Sequence, residues 1–294
     1  MNRIVKSLLI ACSALSFSAA SLGGDFVIMT GSEGGGYFKA GNRVGHAISA
    51  EQVKMNKKLN KKGKEPVDFD IEVLPSNGSI ENLEAFNGGE AQGIMVQVDA
   101  LNLDKPGFKY KVRTSHTEPV LWIYNKEHGY KDLSDVEGRK DFAIVVVEGS
   151  GGNVTLNSFI QEDDGYGKNP QVVAMDLEDA LDIVAEGEYE GVKVAGMIHV
   201  SNVIPRDIAA DYLAFVAVGE ATDGDFNDAT DVEGNKLYTN CSVSLKQMGG
   251  LKAATWTDPD TVCVKSVFAW NVQDLSRNEQ KVISKGARKT FNKK

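Results

Sequence analysis

The sequence predicts an α/β fold in two lobes, each a parallel sheet covered by helices on both faces. Three observations carry that prediction. Apolar runs of strand length alternate with segments of helical spacing, and runs that are continuous rather than alternating mark strands buried on both faces. The order strand, glycine-rich turn, helix, strand, capped helix, strand occurs twice along the chain. The 294 residues, 42% hydrophobic and 25% charged, have the size of about two ordinary globular domains.

The first unit opens with the strand Asp25-Phe26-Val27-Ile28-Met29. It runs into Thr30-Gly31-Ser32-Glu33-Gly34-Gly35-Gly36, then into a helix with Val44, Ala47 and Ile48 on one face. Asp70 to Leu74 reads as the second strand and ends at Pro75-Ser76-Asn77-Gly78-Ser79, where Ser79 is expected to cap a helix carrying Ile80, Leu83 and Phe86. Asn87-Gly88-Gly89 stops that helix, and Gly93 to Val98 forms the third strand.

The second unit repeats the order. Phe142 to Val147 is a strand, Glu148-Gly149-Ser150-Gly151-Gly152-Asn153 its turn, and Leu156, Phe159 and Ile160 the apolar face of the helix that follows. The strand Gln171 to Met175 leads to Asp176 as N-cap, with Asp179 favoured by the helix dipole and Leu177, Ala180, Leu181 and Val184 facing the core. Gly187 ends this helix and Val192 to His199 completes the set. In open sheets of this kind ligands bind beyond the carboxyl ends of the strands, where both glycine-rich turns fall. Helix N-termini facing one cleft there favour an anion, through unpaired amides and a dipole of about +0.5 charge.

Charge and motifs narrow the function. The 32 basic residues against 41 acidic ones leave a net charge of -9, which argues against sequence-independent nucleic-acid binding and for small molecules or proteins as partners. Arg3 and Lys6, the apolar run Ser7 to Phe17, and Ser18-Ala19-Ala20 read as a secretory signal peptide over residues 1–20, so the chain is expected in the periplasm. Without Arg3 and Lys6, 30 basic and 41 acidic residues remain, a net of -11. Lipidation at Cys12 is the alternative. Cleavage leaves Cys241 and Cys263, an even pair in an oxidising space, which predicts a disulfide between them contributing ~3 kcal/mol.

His46, His116, His128 and His199 are scattered without metal-ligand spacing, so neither metal nor another cofactor is expected. Asp223, Asp225, Asn227 and Asp228 lack the glycine and glutamate of a calcium loop and read as an acidic surface turn. The run Lys54, Lys57, Lys58, Lys61, Lys62 and Lys64 reads as a solvated helix end, with a docking surface as the other reading. The first turn lacks GxGxxG spacing, and GxxxxGK[ST], GxSxG and HExxH are all missing, so no motif proposes an enzyme.

The motifs in order resemble the periplasmic solute receptors of tripartite ATP-independent (TRAP) transporters, of the TAXI type. Thr30 to Phe38 read TGSEGGGYF, similar to that family's first loop, and Gly78 to Leu83 read GSIENL, similar to its second. Gly89-Glu90-Ala91, Gln97-Val98-Asp99, Thr117-Glu118-Pro119, Gly149 to Gly152, Pro259 to Val262 and Asp274-Leu275-Ser276 follow in the family's sequence, over most of residues 26 to 290. Phe38, Glu33, Asn153 and Ile198-His199-Val200-Ser201 depart from it.

The resemblance implies a bilobed type II periplasmic binding protein fold without catalysis, with residues 25–118 plus 219–294 as the first lobe and 119–218 as the second. It implies a hinge near Glu118-Pro119 and the return strand around Leu213 to Val218. The ligand shell would comprise Gly31, Ser32, Glu33, Gly36, Tyr37, Asn77, Ser79, Asn82, Gln97 and Glu118, with Ser150, Gly151, Gly152, Asn153, His199 and Ser201 from the opposite lobe. The expected ligand is a small anionic solute, an amino acid such as glutamate or an organic acid. A monomer would deliver it to the permease subunits of a TRAP transporter. A sensory receptor for a similar solute, or an exported enzyme using Glu33 or His199 as acid or base, are the alternatives.

Overall fold

The first unit folds as β1 (Phe26–Met29), α1 (Gly36–Asn60), β2 (Ile71–Leu74), α2 (Ser79–Asn87), β3 (Gly93–Gln97) and the short α3 (Val98–Leu103). In the computed structural model, which describes residues 24–201, 203–222, 224–231, 233–244, 246–254 and 256–291, β1 pairs in parallel with β2 and with β3. The signal-peptide reading, its Cys12 alternative and Asp223 lie outside the described residues. Burial on both faces explains the continuous apolar runs. Phe26, Ile28 and Met95 pack with Ala40, Val44 and Ile48 of α1, while Ile94 and Val96 pack with Leu83 and Phe86 of α2.

β4 (Tyr110–Asn125) leads to the second unit: β5 (Phe142–Val147), α4 (Gly151–Glu162), β6 (Gln171–Ala174), α5 (Leu177–Glu186), the two-residue β7 (Glu188–Tyr189) and β8 (Val192–Val200). α6 (Arg206–Tyr212), β9 (Val216–Gly219), β10 (Tyr238–Ser242), β11 (Asp260–Asn271) and α7 (Arg277–Phe291) complete the chain. The strand order is β2-β1-β3-β11-β4 in the first half, with β11 antiparallel to both neighbours. In the second half it is β6-β5-β8-β4-β9, with β4 antiparallel to both neighbours. β4 serves both sheets, pairing with β11 up to Pro119 and with β8 from Val120 onward. This doubled order is the bilobed type II fold, and its crossover at Pro119 brings the carboxyl ends of the strands of both halves to one cleft.

Local signals act mostly as expected. Asp176 accepts from the Asp179 amide while Asp179 accepts from the Met175 amide, and Gly187 closes α5 in the left-handed region at φ 73°. Ser79 differs from expectation. Gly78 is the N-cap of α2, at φ 133°, and a Cβ there would sit 3.1 Å from the Gly149 carbonyl oxygen of the other half. Ser79 is thereby the first helical residue, and its hydroxyl accepts from the Gln97 amide at 3.3 Å.

The return path also differs. The strand expected around Leu213 to Val218 is β9, and it remains within the second sheet, paired with β4 from Trp122 to Asn125. The chain recrosses at the start of β11, where Cys263 stands opposite Pro119. Residues 220–254, grouped by the resemblance with the first lobe, bury Ala221, Phe226, Leu237 and Tyr238 against β4, β5 and α4. Val243, Met248 and Leu251 join the core beneath α5 and α6. These side chains cover apolar surface of the second sheet, which sets where the segment packs. A Cys241–Cys263 disulfide ties β10 to β11. Among the described residues no helix is long and apolar enough to cross a membrane.

Candidate functional site

Loops at the carboxyl ends of β1, β2, β3, β5 and β8 enclose a cleft of about 240 Å³ between the two halves. Three helices begin at it. The N-caps of α1 and α2, Gly35 and Gly78, offer no side chain to the first amides, which have no acceptor within the helix. At α4 the Ser150 hydroxyl accepts only from the Asn153 amide, at 3.3 Å. Of the residues expected in the ligand shell, the cleft is lined by Gly31, Ser32, Gly36, Tyr37, Asn77, Ser79, Gln97 and Glu118 from one side and Ser150, Gly151, His199 and Ser201 from the other.

The polar side chains are arranged unevenly. The Tyr37 hydroxyl donates to Glu118 Oε2 at 3.0 Å, and His116 Nε2 lies 3.2 Å from Glu118 Oε1 without hydrogen-bond geometry. Burial first, and then the neighbouring Glu118 carboxylate, hold the Tyr37 phenol well above its usual range, so it remains a donor. Among the described lining residues Glu118 alone carries a formal charge, and it is 6% exposed. Burial pushes His199 down to about 4, which makes it a neutral imidazole at pH 7. Gln97 is 1% exposed, and its side-chain oxygen has no hydrogen-bond partner. A Cβ at Gly151 would stand 2.6 Å from that oxygen, so the amide of Gln97 lies directly against the start of α4.

No protein-family model matches the chain, and no curated protein does. Solved structures overlap with it loosely. The GluR0 ligand-binding core in complex with L-glutamate has a TM-score of 0.48 at 9% identity, covering 94% of this chain and 95% of that one. The VFT2 domain of Bordetella pertussis BvgS has 0.44 at 11%, covering 91% and 86%. The regulatory domain of MetR from N. meningitidis has 0.42 at 8%, covering 91% and 93%. Matches this loose leave the doubled strand order as the ground for the fold.

Four expected shell residues do not line the cleft. Glu33 is exposed in the first loop and is not among the lining residues. Asn82 is fully buried, and its side-chain amide donates to the carbonyls of Thr30 and Met95 while its oxygen accepts from Ser76 at 2.6 Å. It ties the first two loops to β3 and is used up in doing so. Gly152 faces β8, where a Cβ would collide with the Ile198 carbonyl. The Asn153 side chain accepts from Asn157 one turn along α4. Gly35, Gly78 and Val200 also line the cleft, although the expected ligand shell did not include them. His116 was legible only as one of four scattered histidines, although a residue two before Glu118 on a strand shares its face.

Proposed function

We propose that the protein is an exported receptor that binds a small amino acid or organic acid between its lobes without chemical change and delivers it, as TAXI-type receptors do, to the membrane subunits of a TRAP transporter. One observation carries the reading. Residues of both halves meet in a single small cleft, at which three helix N-termini begin, and the side-chain oxygen of Gln97 beside the start of α4 has no hydrogen-bond partner. A volume of about 240 Å³ lies just below the range of roughly 300 to 1,000 Å³ common for pockets of drug-sized ligands, which suits a small acid. The free amides favour a carboxylate, and they exist in one place only when the lobes are closed.

The lone Glu118 carboxylate supports an amino acid over a dianion. A zwitterion would set its carboxylate at the helix N-termini and its ammonium against Glu118, whereas a second anionic group would find no lysine or arginine among the described lining residues. Glu33, lying outside the cleft, is badly situated to act as an acid or base there.

A thermal-shift screen of the common amino acids and of carboxylic acids of matching size tests the reading. A stabilising solute should be recovered unaltered by mass spectrometry after incubation, and scattering should show compaction on its addition. Gly151→Trp, which fills the space against Gln97, should abolish both responses while remaining folded. Steady conversion of any bound solute would replace the receptor reading with an enzyme.

A further inference from the structure

Charge is segregated on this molecule. α1 and α7 pack side by side on the first sheet and hold ten basic residues (Lys39, Arg43, Lys54, Lys57 and Lys58 on α1, with Arg277, Lys281, Lys285, Arg288 and Lys289 on α7) against two acidic ones, Glu51 and Glu279. That two-helix layer therefore carries a net +8, and with -9 for the whole chain the remainder carries -17. Glu51 is already engaged by Lys54 and Lys289. Beside α7 lies a groove of about 420 Å³ with Arg277, Lys281, Lys285 and Arg288 along one wall and Lys111 of β4 on the other. Among the described residues none of these five forms an ion pair. Like charges at i, i+4, as at 277, 281 and 285, destabilise the helix that bears them. Among the described residues no ion pair to these three cations offsets that repulsion.

We propose that the groove between α7 and β4, with the α1 and α7 cations around it, is a docking surface for a carboxylate-rich protein segment. Charge complementarity selects an acidic occupant, and steering by such a field raises the rate of encounter at low salt. The concave shape favours a protruding acidic helix or loop, whose carboxylates reach cations on both walls. A flat anionic bilayer meets Lys111 and α7 across the concave groove less well. The surface is continuous with the cleft: α1 starts at the cleft wall with Gly36 and Tyr37, and Lys39 and Arg43 follow one and two turns later. The docking role stands apart from what the cleft binds.

Immobilised poly-L-glutamate serves as the probe, with the full chain, a layer variant and a control variant. The layer variant is Arg277→Glu, Lys281→Glu and Lys285→Glu together. The control reverses Lys131, Lys140 and Lys236 to glutamate, three exposed cations outside the layer, and so has the same net charge. The wild type should be retained at low salt despite its net negative charge and released as salt screens the contact. The control should bind within about threefold of wild type, and the layer variant at least tenfold more weakly. Thermal melting checks that both variants fold. If the reversal unfolds α7, the triple glutamine variant at 277, 281 and 285 takes its place and should show the same loss. No retention of wild type, or equal loss in the two variants, overturns the proposal. So does co-sedimentation with phosphatidylglycerol vesicles as strong as retention by poly-L-glutamate, which would assign the layer to lipid headgroups.

Discussion

The Asp99 carboxylate accepts a hydrogen bond from the Thr155 hydroxyl at 2.8 Å, tying α3 of the first half to α4 of the second. The Tyr238 hydroxyl donates to the same oxygen at 2.8 Å. Among the described residues no cation pairs with this buried carboxylate, and desolvation raises Asp99 from 3.8 to about 6 in spite of the hydrogen bonds. The folded chain thus holds a proton that the unfolded chain releases near 3.8. The resulting stabilisation is fully present below 3.8 and is lost as pH rises through about 6, about 3 kcal/mol in all. Urea unfolding of wild type and Asp99→Asn at pH 4 and pH 7 should show this fall in wild type relative to the variant. Parallel curves would mean that Asp99 titrates alike in both states.

His199 should act in the opposite sense. Its folded value near 4, against an ordinary 6.5, means that the unfolded chain binds the proton first. Its contribution is present above 6.5 and is lost as pH falls through about 4, on the order of 3 kcal/mol. His199→Gln should remove that loss. Between pH 4 and 6 the wild-type stability curve should be flatter than that of either single variant, because the Asp99 and His199 slopes oppose each other there.

This pair also shows where reading the sequence stops. The doubled unit was legible because Phe26 to Met29 and Phe142 to Val147 are continuous apolar runs followed by glycines, a local pattern with a local cause. Most of the cleft followed from it, since residues at the ends of parallel strands are brought together by topology. The contacts of Asp99 span 56 and 139 residues and leave no local trace. Residues 220–254 were equally opaque: Ala221, Phe226, Leu237 and Met248 have neither helical nor strand period, so nothing in their spacing says which sheet they cover. Asn82 and Gly152 matched a motif, but partners elsewhere in the chain give them structural work.

That work is measurable. Asn82→Ala would leave the Thr30 and Met95 carbonyls buried without their donor, at a cost of about 2 to 4 kcal/mol. Gly152→Ala would drive a methyl into the Ile198 carbonyl and separate α4 from β8. Both variants should lower the denaturant midpoint while the folded fraction binds solute with little changed affinity. A large affinity loss at an unchanged midpoint would return either residue to the ligand shell.

The disulfide offers a separate stability test, because neither cysteine lines the cleft. Cys241 and Cys263 are 22 residues apart, and a loop of that length is worth about 3 kcal/mol through restriction of the unfolded chain. Cys241→Ser should lower the melting temperature by several degrees, dithiothreitol should do the same to wild type, and the reductant should have no further effect on the variant. Two free thiols in the unreduced protein would contradict the bond.

Glu118 gives the sharpest test of what the cleft takes. It is the lone formal charge among the described lining residues, held in orientation by the Tyr37 hydroxyl at 3.0 Å. If an ammonium group rests against it, Glu118→Gln keeps the shape of the site and removes the attraction. A hydrogen bond to a charged partner contributes about 1.5 to 3 kcal/mol, so affinity for an amino acid should fall at least tenfold. The same acid without its amine should bind the variant as well as or better than wild type, since the carboxylate that repelled it is gone. Tyr37→Phe should weaken the amino acid less, because the carboxylate remains. Calorimetry with an amino acid and its deaminated counterpart on the three proteins separates these outcomes. Equal losses for both ligands in Glu118→Gln would mean that Glu118 acts on closure at the Pro119 crossover and not on the ligand.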